Sequence, residues 1–190
     1  MADRRSALAH LRQESPGTSN ATLAEKKPGS LAMVTAWPET LAKVEAVLSE
    51  LLGVNAPAAG TAAVSEATTV AAIGAGRFFV ATEATDLAAR LEAALLSADA
   101  AVTDLSHGRT ILRLEGEAAA EILSRCVAID LDLSVFPVGR AAQTMIHHVD
   151  VLIVRRAEQS FDLWALRSFA EALAEGILDA GLELGVAFDS

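Results

Sequence analysis

Strand-length apolar runs follow one another here through very short connections, and this constrains the fold more than any other feature of the chain. Runs at 68–73 and 77–81 meet around Gly74 and Gly76, and runs at 141–147, 149–155 and 160–166 are separated by a handful of residues at most. A parallel crossover needs a dozen or more residues, so the sheets are predicted to be mainly antiparallel. Helical spacing breaks the runs at intervals. Pro38 opens a helix to about 52 with Leu41, Val44, Leu48 and Leu51 on one face, and Gly53 stops it. Thr85 can cap a second helix, whose Leu87, Leu91 and Leu95 share a face. A third spans about 117–126. A fourth begins at a Ser168/Glu171 capping box, carries Phe169, Leu173 and Ile177 as its stripe, and has Gly181 beyond its end.

Strands are also predicted at 31–36, 100–105 and 110–114, the last two turning at Gly108 as a hairpin; 55–63 reads as a Pro/Gly/Ala loop and 129–133 as an edge strand or an extended loop. The order strand, helix, strand, strand, helix, strand then occurs twice. This predicts an α+β fold of two related split βαβ lobes, with mainly antiparallel sheets and helices packed on them, the lobes covering about 31–105 and 106–190. Residues 1–30 read as an irregular, flexible tail rich in turn formers. It is either disordered or ordered against a partner through Leu8, Leu11 and Leu23.

Net charge is −10, and the tail is locally basic (Arg4, Arg5, Arg12, Lys26 and Lys27 against Asp3, Glu14 and Glu25), so the body is more acidic still. Such a body argues against nucleic acid and against anionic membrane surfaces as partners. No apolar run reaches the roughly 18 residues of a membrane helix, and the basic start lacks the apolar stretch of a secretory signal. Cys126 is the single cysteine, so no internal disulfide forms and a reducing, cytoplasmic setting is expected. It reads as a small buried apolar residue near a helix end, with no base beside it. With 4% aromatic residues and no tyrosine, few rings are available for a base or a pterin to stack on.

Catalytic, cofactor-binding and metal patterns are not found. Gly74 and Gly76 begin a G-x-G, but Phe79 breaks the phosphate fingerprint, which leaves a hairpin turn. His147 and His148 are neighbours on a predicted strand, where adjacent side chains diverge, so they do not share a metal ion with Asp150. Asp104, Ser106 and His107 collect the residue types of a hydrolase triad without the order in space that one needs; holding the turn at Gly108 is the better reading. Arg109, Arg113, Arg140, Arg155, Arg156 and Arg167 could bind a carboxylate, although pairing with Asp and Glu is the commoner use in an acidic chain. Arg140 and Arg167 follow a turn and a strand end, which suits ion pairs or subunit contacts. Trp37 and Trp164 are the largest side chains. Trp164 alternates in phase with Asp162 against Phe161 and Leu163, so it is either an exposed interface anchor or part of the core. The interface candidates are therefore Trp37, Arg140, Trp164 and Arg167.

Four motifs carry a resemblance. Asp104 to Thr110 with Leu112, Arg113, Leu114 and Gly116 match a D-L-S-H/G-G-R-T-x-L-R-L-x-G pattern. Phe136, Pro137, Gly139, Ala142, Gln143 and Thr144 match F-P-x-G-x-x-A-Q-T. Val149 to Leu152 and Arg167 to Ala170 match V-D-V-L and R-S-F-A. In this order they resemble the gamma subunit of heterotetrameric sarcosine oxidase, itself similar to a shortened folate-binding domain of the glycine cleavage T-protein. The resemblance implies a non-catalytic subunit of an oxidoreductase complex. That complex demethylates sarcosine to glycine, forms hydrogen peroxide and passes the one-carbon unit to tetrahydrofolate. It further implies alpha, beta and delta partner chains that hold FAD, FMN, NAD, zinc and the tetrahydrofolate site, with no cofactor in this chain. The alternative is a stand-alone tetrahydrofolate-binding or aminomethyltransferase-like protein.

Overall fold

The computed structural model describes residues 6–9, 11 and 19–189. The chain divides into two compact units: Pro28–Ser106 with Gly139–Ala142, and Met1–Lys27 with His107–Val138 and Gln143–Ser190.

The first of these is built on β2 (Ser30–Ala36), α1 (Leu41–Leu52), β3 (Thr61–Val64), β4 (Thr68–Gly74), β5 (Arg77–Thr82), α2 (Leu87–Ala94) and β6 (Ala100–Asp104). Its sheet runs β3-β4-β5-β2-β6 and is antiparallel throughout. Pro38 starts a single 3-10 turn that feeds α1, and Gly53 ends the helix in a left-handed conformation (φ 67°), its N–H bonded to Ser49 O. Alternate residues of the central strands, Ala32 and Val34, Val70 and Ala72, Phe78 and Val80, form one apolar face. Val44 and Leu48 of α1 and Leu87 and Leu91 of α2 close on it, each at most 1% exposed. The α2 N-cap is Asp86 rather than Thr85, and no side chain caps it. β3 takes up the end of the expected loop.

In the other unit β7 (Arg109–Glu115), α3 (Ala119–Ser124), β8 (Ala141–Ile146), β9 (Val149–Ala157), β10 (Ser160–Leu166), α4 (Ala170–Gly181) and β11 (Val186–Asp189) repeat the same series. The sheet order, β8-β9-β10-β7-β1-β11, repeats too, except for β1 (Ala21–Lys26), which lies between the first and last strands of the series. The two split βαβ arrangements of the sequence reading are thus present, and one carries an extra strand.

That strand corrects the reading of 1–30 as an irregular tail. β1 runs antiparallel to β7 (Leu23 opposite Leu114) and parallel to β11 (Leu23 opposite Phe188). Leu23 is fully buried and Leu8 is 1% exposed, so both are core side chains of this unit. Of the rest of the tail, 1–5, 10 and 12–18 lie outside the described residues.

The expected hairpin at Gly108 is also corrected. β6 pairs with β2 and β7 pairs with β1 and β10, so the two strands belong to different sheets. Gly108 is not among the glycines with positive φ. The left-handed one on this stretch is Gly116 (φ 126°), which packs on the backbone of Asn20 and Ala21. The segment 129–133 is a loop. At α4 the N-cap is Phe169, a 3-10 turn over Arg167–Phe169 precedes the helix, and no side-chain cap forms. Phe169 accordingly stays 46% exposed, while Leu173 and Ile177 are fully buried.

Candidate functional site

Strand alternation places Arg109, Ile111 and Arg113 of β7 on one face and Thr110, Leu112 and Leu114 on the other. The charged face is organised by Asp162 on β10, directly opposite Arg113. Arg113 donates from Nε to Asp162 Oδ1 (2.7 Å) and from Nη2 to Oδ2 (3.1 Å), and Arg156 Nη1 donates to the same Oδ2 (3.1 Å). Asp162 is 2% exposed. Burial pushes the Arg113 guanidinium down, but the Asp162 carboxylate outweighs this and the net shift is upward. A buried carboxylate held by two guanidinium groups is a structural triad, costly to break by removing one member.

Trp164 lies two residues along this face and is 1% exposed. Of the two readings left open for it, the core one holds, and it is not an exposed anchor. Asp162 had suggested a solvated face, but its charge is cancelled by neighbours on two other strands.

Several sequence islands converge at the Arg109 end of the face. Arg109, Gln143, Thr144, Met145 and Asp150 line a cavity of about 390 Å³. Burial lowers the Arg109 pKa and Asp150 opposes the shift. A second, more open cavity of about 570 Å³ is lined by His107, Gly108, Arg167 and Ser168 together with Ser6 and Ala7. Arg167 N–H donates to Gly108 O (2.9 Å), which fixes these two motifs side by side. Ser6 and Ala7 are held by Glu25 of β1, which accepts from Ser6 Oγ, from Ala7 N (3.2 Å) and from Thr110 Oγ1 (2.9 Å). Burial alone would raise the Glu25 pKa; these hydrogen bonds, with Lys27 nearby, bring it below the ordinary value instead.

The remaining candidates resolve one by one. Trp37 is 43% exposed and its Nε1 donates to Ser97 O (3.2 Å). Arg140 is exposed, its backbone bridging Thr61 and its guanidinium beside Gly60. Asp104 and Ser106 do not form a triad with His107: Asp104 Oδ1 accepts from Ser106 N (2.9 Å), and Ser106 Oγ accepts from Leu31 N (3.0 Å). They hold a turn.

His147 and His148 form the β8–β9 turn and are not strand residues; His147 has φ 51° and its ring packs against Gly176 of α4. Among the described residues no three His, Cys, Asp or Glu side chains gather as a metal site. Cys126 is half-buried rather than buried, donates to Ile122 O (3.4 Å), and burial pushes its thiol pKa up, which keeps it a poor nucleophile. No helix of the described residues is long and apolar enough to cross a membrane.

The sequence reading did not foresee Asp162 as a buried hub or Arg155 as a buried anchor. Arg155 is 2% exposed and donates to the carbonyl oxygens of Leu131, Phe136 and Glu158. The detectable signal was the run of adjacent arginines, 155 and 156, inside a strand.

Comparison with known proteins supplies the family. The GCVT N-terminal domain family matches residues 59–188. The gamma subunits of sarcosine oxidase from Corynebacterium sp. strain P-1 and strain U-96 are 36% and 35% identical over 138 and 145 residues. These stretches cover 71% and 75% of this chain and 68% and 71% of those proteins. In solved structures, a chain of the heterotetrameric sarcosine oxidase of Corynebacterium sp. U-96, in complex with pyrrole 2-carboxylate, superposes with a TM-score of 0.85 at 33% identity. The match covers 98% of this chain and 99% of that one. Aminomethyltransferase T of the Bartonella henselae glycine cleavage system shares the fold, with TM-score 0.63 and 20% identity over 90% of this chain and 48% of that one. The family match, the identity to these gamma subunits and the near-complete superposition together make the chain a member of the sarcosine oxidase gamma-subunit family, on the GCVT N-terminal domain fold.

Proposed function

We propose that this chain is the non-catalytic gamma subunit of a heterotetrameric sarcosine oxidase and works in the cytoplasm. Its alpha, beta and delta partners would carry FAD, FMN, NAD, zinc and the tetrahydrofolate site. The observation that carries this reading is the near end-to-end likeness to one chain of such an oxidase at 33% identity. The engagement of its buried charges supports it. Asp162 is closed by Arg113 and Arg156, and Arg155 by backbone carbonyls, so each charge is committed to holding the fold.

A stand-alone tetrahydrofolate binder is the second reading, favoured by the GCVT family match. Against it, Trp164 is buried and both Asp162 oxygens already accept hydrogen bonds. Co-expression with the cognate partner chains tests the proposal. Stoichiometric co-elution with sarcosine-dependent peroxide formation is the expected result. A free monomer that binds tetrahydrofolate by calorimetry would overturn it.

A further inference from the structure

Three of the nine large apolar side chains exposed among the described residues fall within six consecutive positions: Leu133 (42%), Val135 (54%) and Val138 (50%). Their backbone is not slack. Asp130 Oδ1 accepts from Asp132 N (2.9 Å), Asp132 Oδ1 accepts from Ser134 N (2.8 Å) and Oγ (2.6 Å), and Asp132 O accepts from Val135 N and Phe136 N. From below, Arg155 Nη1 donates to Leu131 O (2.8 Å) and Phe136 O (2.7 Å), and Nη2 donates to Glu158 O (2.6 Å). The guanidinium also sits 4.8 Å from the centre of the Phe161 ring. Leu131 and Phe136 plug the core at 6% and 3% exposure.

Burying a guanidinium is expensive. Here it fixes the shape of a loop whose intervening side chains point to water. A pre-ordered loop loses little entropy on binding, and clustered exposed apolar side chains mark interaction surfaces. Exposed Asp130 and Asp132 lie on the amino-terminal side of the cluster, which favours Lys or Arg on that side of whatever covers it.

We propose that residues 130–138 form a preorganised docking loop that seats Leu133, Val135 and Val138 in an apolar socket, rimmed by Lys or Arg, on a partner subunit. This rests on the gamma-subunit reading and assigns that subunit one of its contact surfaces.

The test is a triple variant, Leu133→Ser, Val135→Ser and Val138→Ser, in the full chain co-expressed with its partners. About tenfold or greater loss of the chain from the purified complex is expected, with the melting temperature of the isolated chain within about 2 °C of wild type because the substituted side chains are exposed. Undiminished recovery of the variant in a complex that retains the wild-type chain would overturn the loop assignment alone. Failure of the wild-type chain to join the complex would overturn the subunit reading instead.

A second readout covers the case of an unfolded variant. Val135→Cys, in a Cys126→Ser background, should react with maleimide in the isolated chain and be at least tenfold protected in the complex. Equal labelling in both would also overturn the proposal. So would concentration-dependent self-association abolished by the triple substitution, which would give the surface to a second copy.

Discussion

Replacing Gly116 with alanine separates two costs that the structure combines at one residue. The backbone there has φ 126°, which side-chain-bearing residues rarely adopt, and an added Cβ would meet the Asn20 carbonyl oxygen and come within 2.7 Å of Ala21 Cα. Strain of this kind costs about 1–3 kcal/mol, and forcing two backbones apart adds about 1–3 kcal/mol. Gly53→Ala is the internal control. Its φ is 67°, and nothing lies within 4 Å of the added Cβ, so it bears strain alone, about 1 kcal/mol.

For a chain of this size roughly 2–4 °C of melting temperature accompany each kcal/mol. Gly116→Ala should therefore melt roughly 10 °C lower and Gly53→Ala roughly 3 °C lower in a calorimetric scan. Hydrogen exchange should locate the Gly116→Ala loss in the β1 amides next to it. Equal falls for the two variants, or unchanged β1 exchange, would refute the argument that β7 ends against β1.

Asp162→Ala leaves Arg113 and Arg156 without the carboxylate that offsets their burial, and should cost about 3–5 kcal/mol in denaturant unfolding; a loss under 1 kcal/mol would show that the triad relaxes into water. Glu25 has a lowered folded-state pKa, so the stability it contributes is complete above its ordinary value of 4.5 and disappears as pH falls through the lower folded value. Glu25→Gln should accordingly be less stable than wild type at pH 6–7 and converge with it in acid, followed by urea melts across that range; a constant difference would refute the assignment. Trp164→Ala should cost about 3–5 kcal/mol by emptying a buried site, whereas Trp37→Ala, half in solvent, should leave the isolated chain within about 1 kcal/mol of wild type by the same measurement.

Local signals read well where their partners are local. Pro38, Gly53 and the Leu41–Val44–Leu48 spacing define α1 within fifteen or so residues, and the Gly74–Gly76 turn joins strands that pair with each other. β1 failed for the opposite reason. ATLAEK is short, bounded by Asn20 and Lys27-Pro28-Gly29, and its partners β7 and β11 come from distant parts of the chain. No window of sequence around it contains the evidence. Gly108 misled because a turn within a hairpin and a turn between two sheets look alike in residue type. Ser168 and Glu171 have the residue types of a capping box, but a 3-10 turn takes the first residues of that segment. At the candidate sites the motifs are legible, but their roles are not: Asp162 looks like a solvent-facing residue until Arg113 and Arg156 are placed beside it, and Trp164, in phase with it, stays open between core and surface on sequence alone.

The parallel pairing of β1 with β11 has a temporal consequence. Synthesis delivers the amino-terminal end first, yet the outer edge of β1 stays open until Val186–Asp189 are available. The 28–106 stretch already holds a full antiparallel sheet and can condense on the ribosome, while Leu23 and its neighbours wait for the carboxy-terminal strand. An exposed strand edge during that interval invites pairing with other chains. Nascent polypeptides stopped short of Val186 should therefore be the aggregation-prone and chaperone-bound species of this protein.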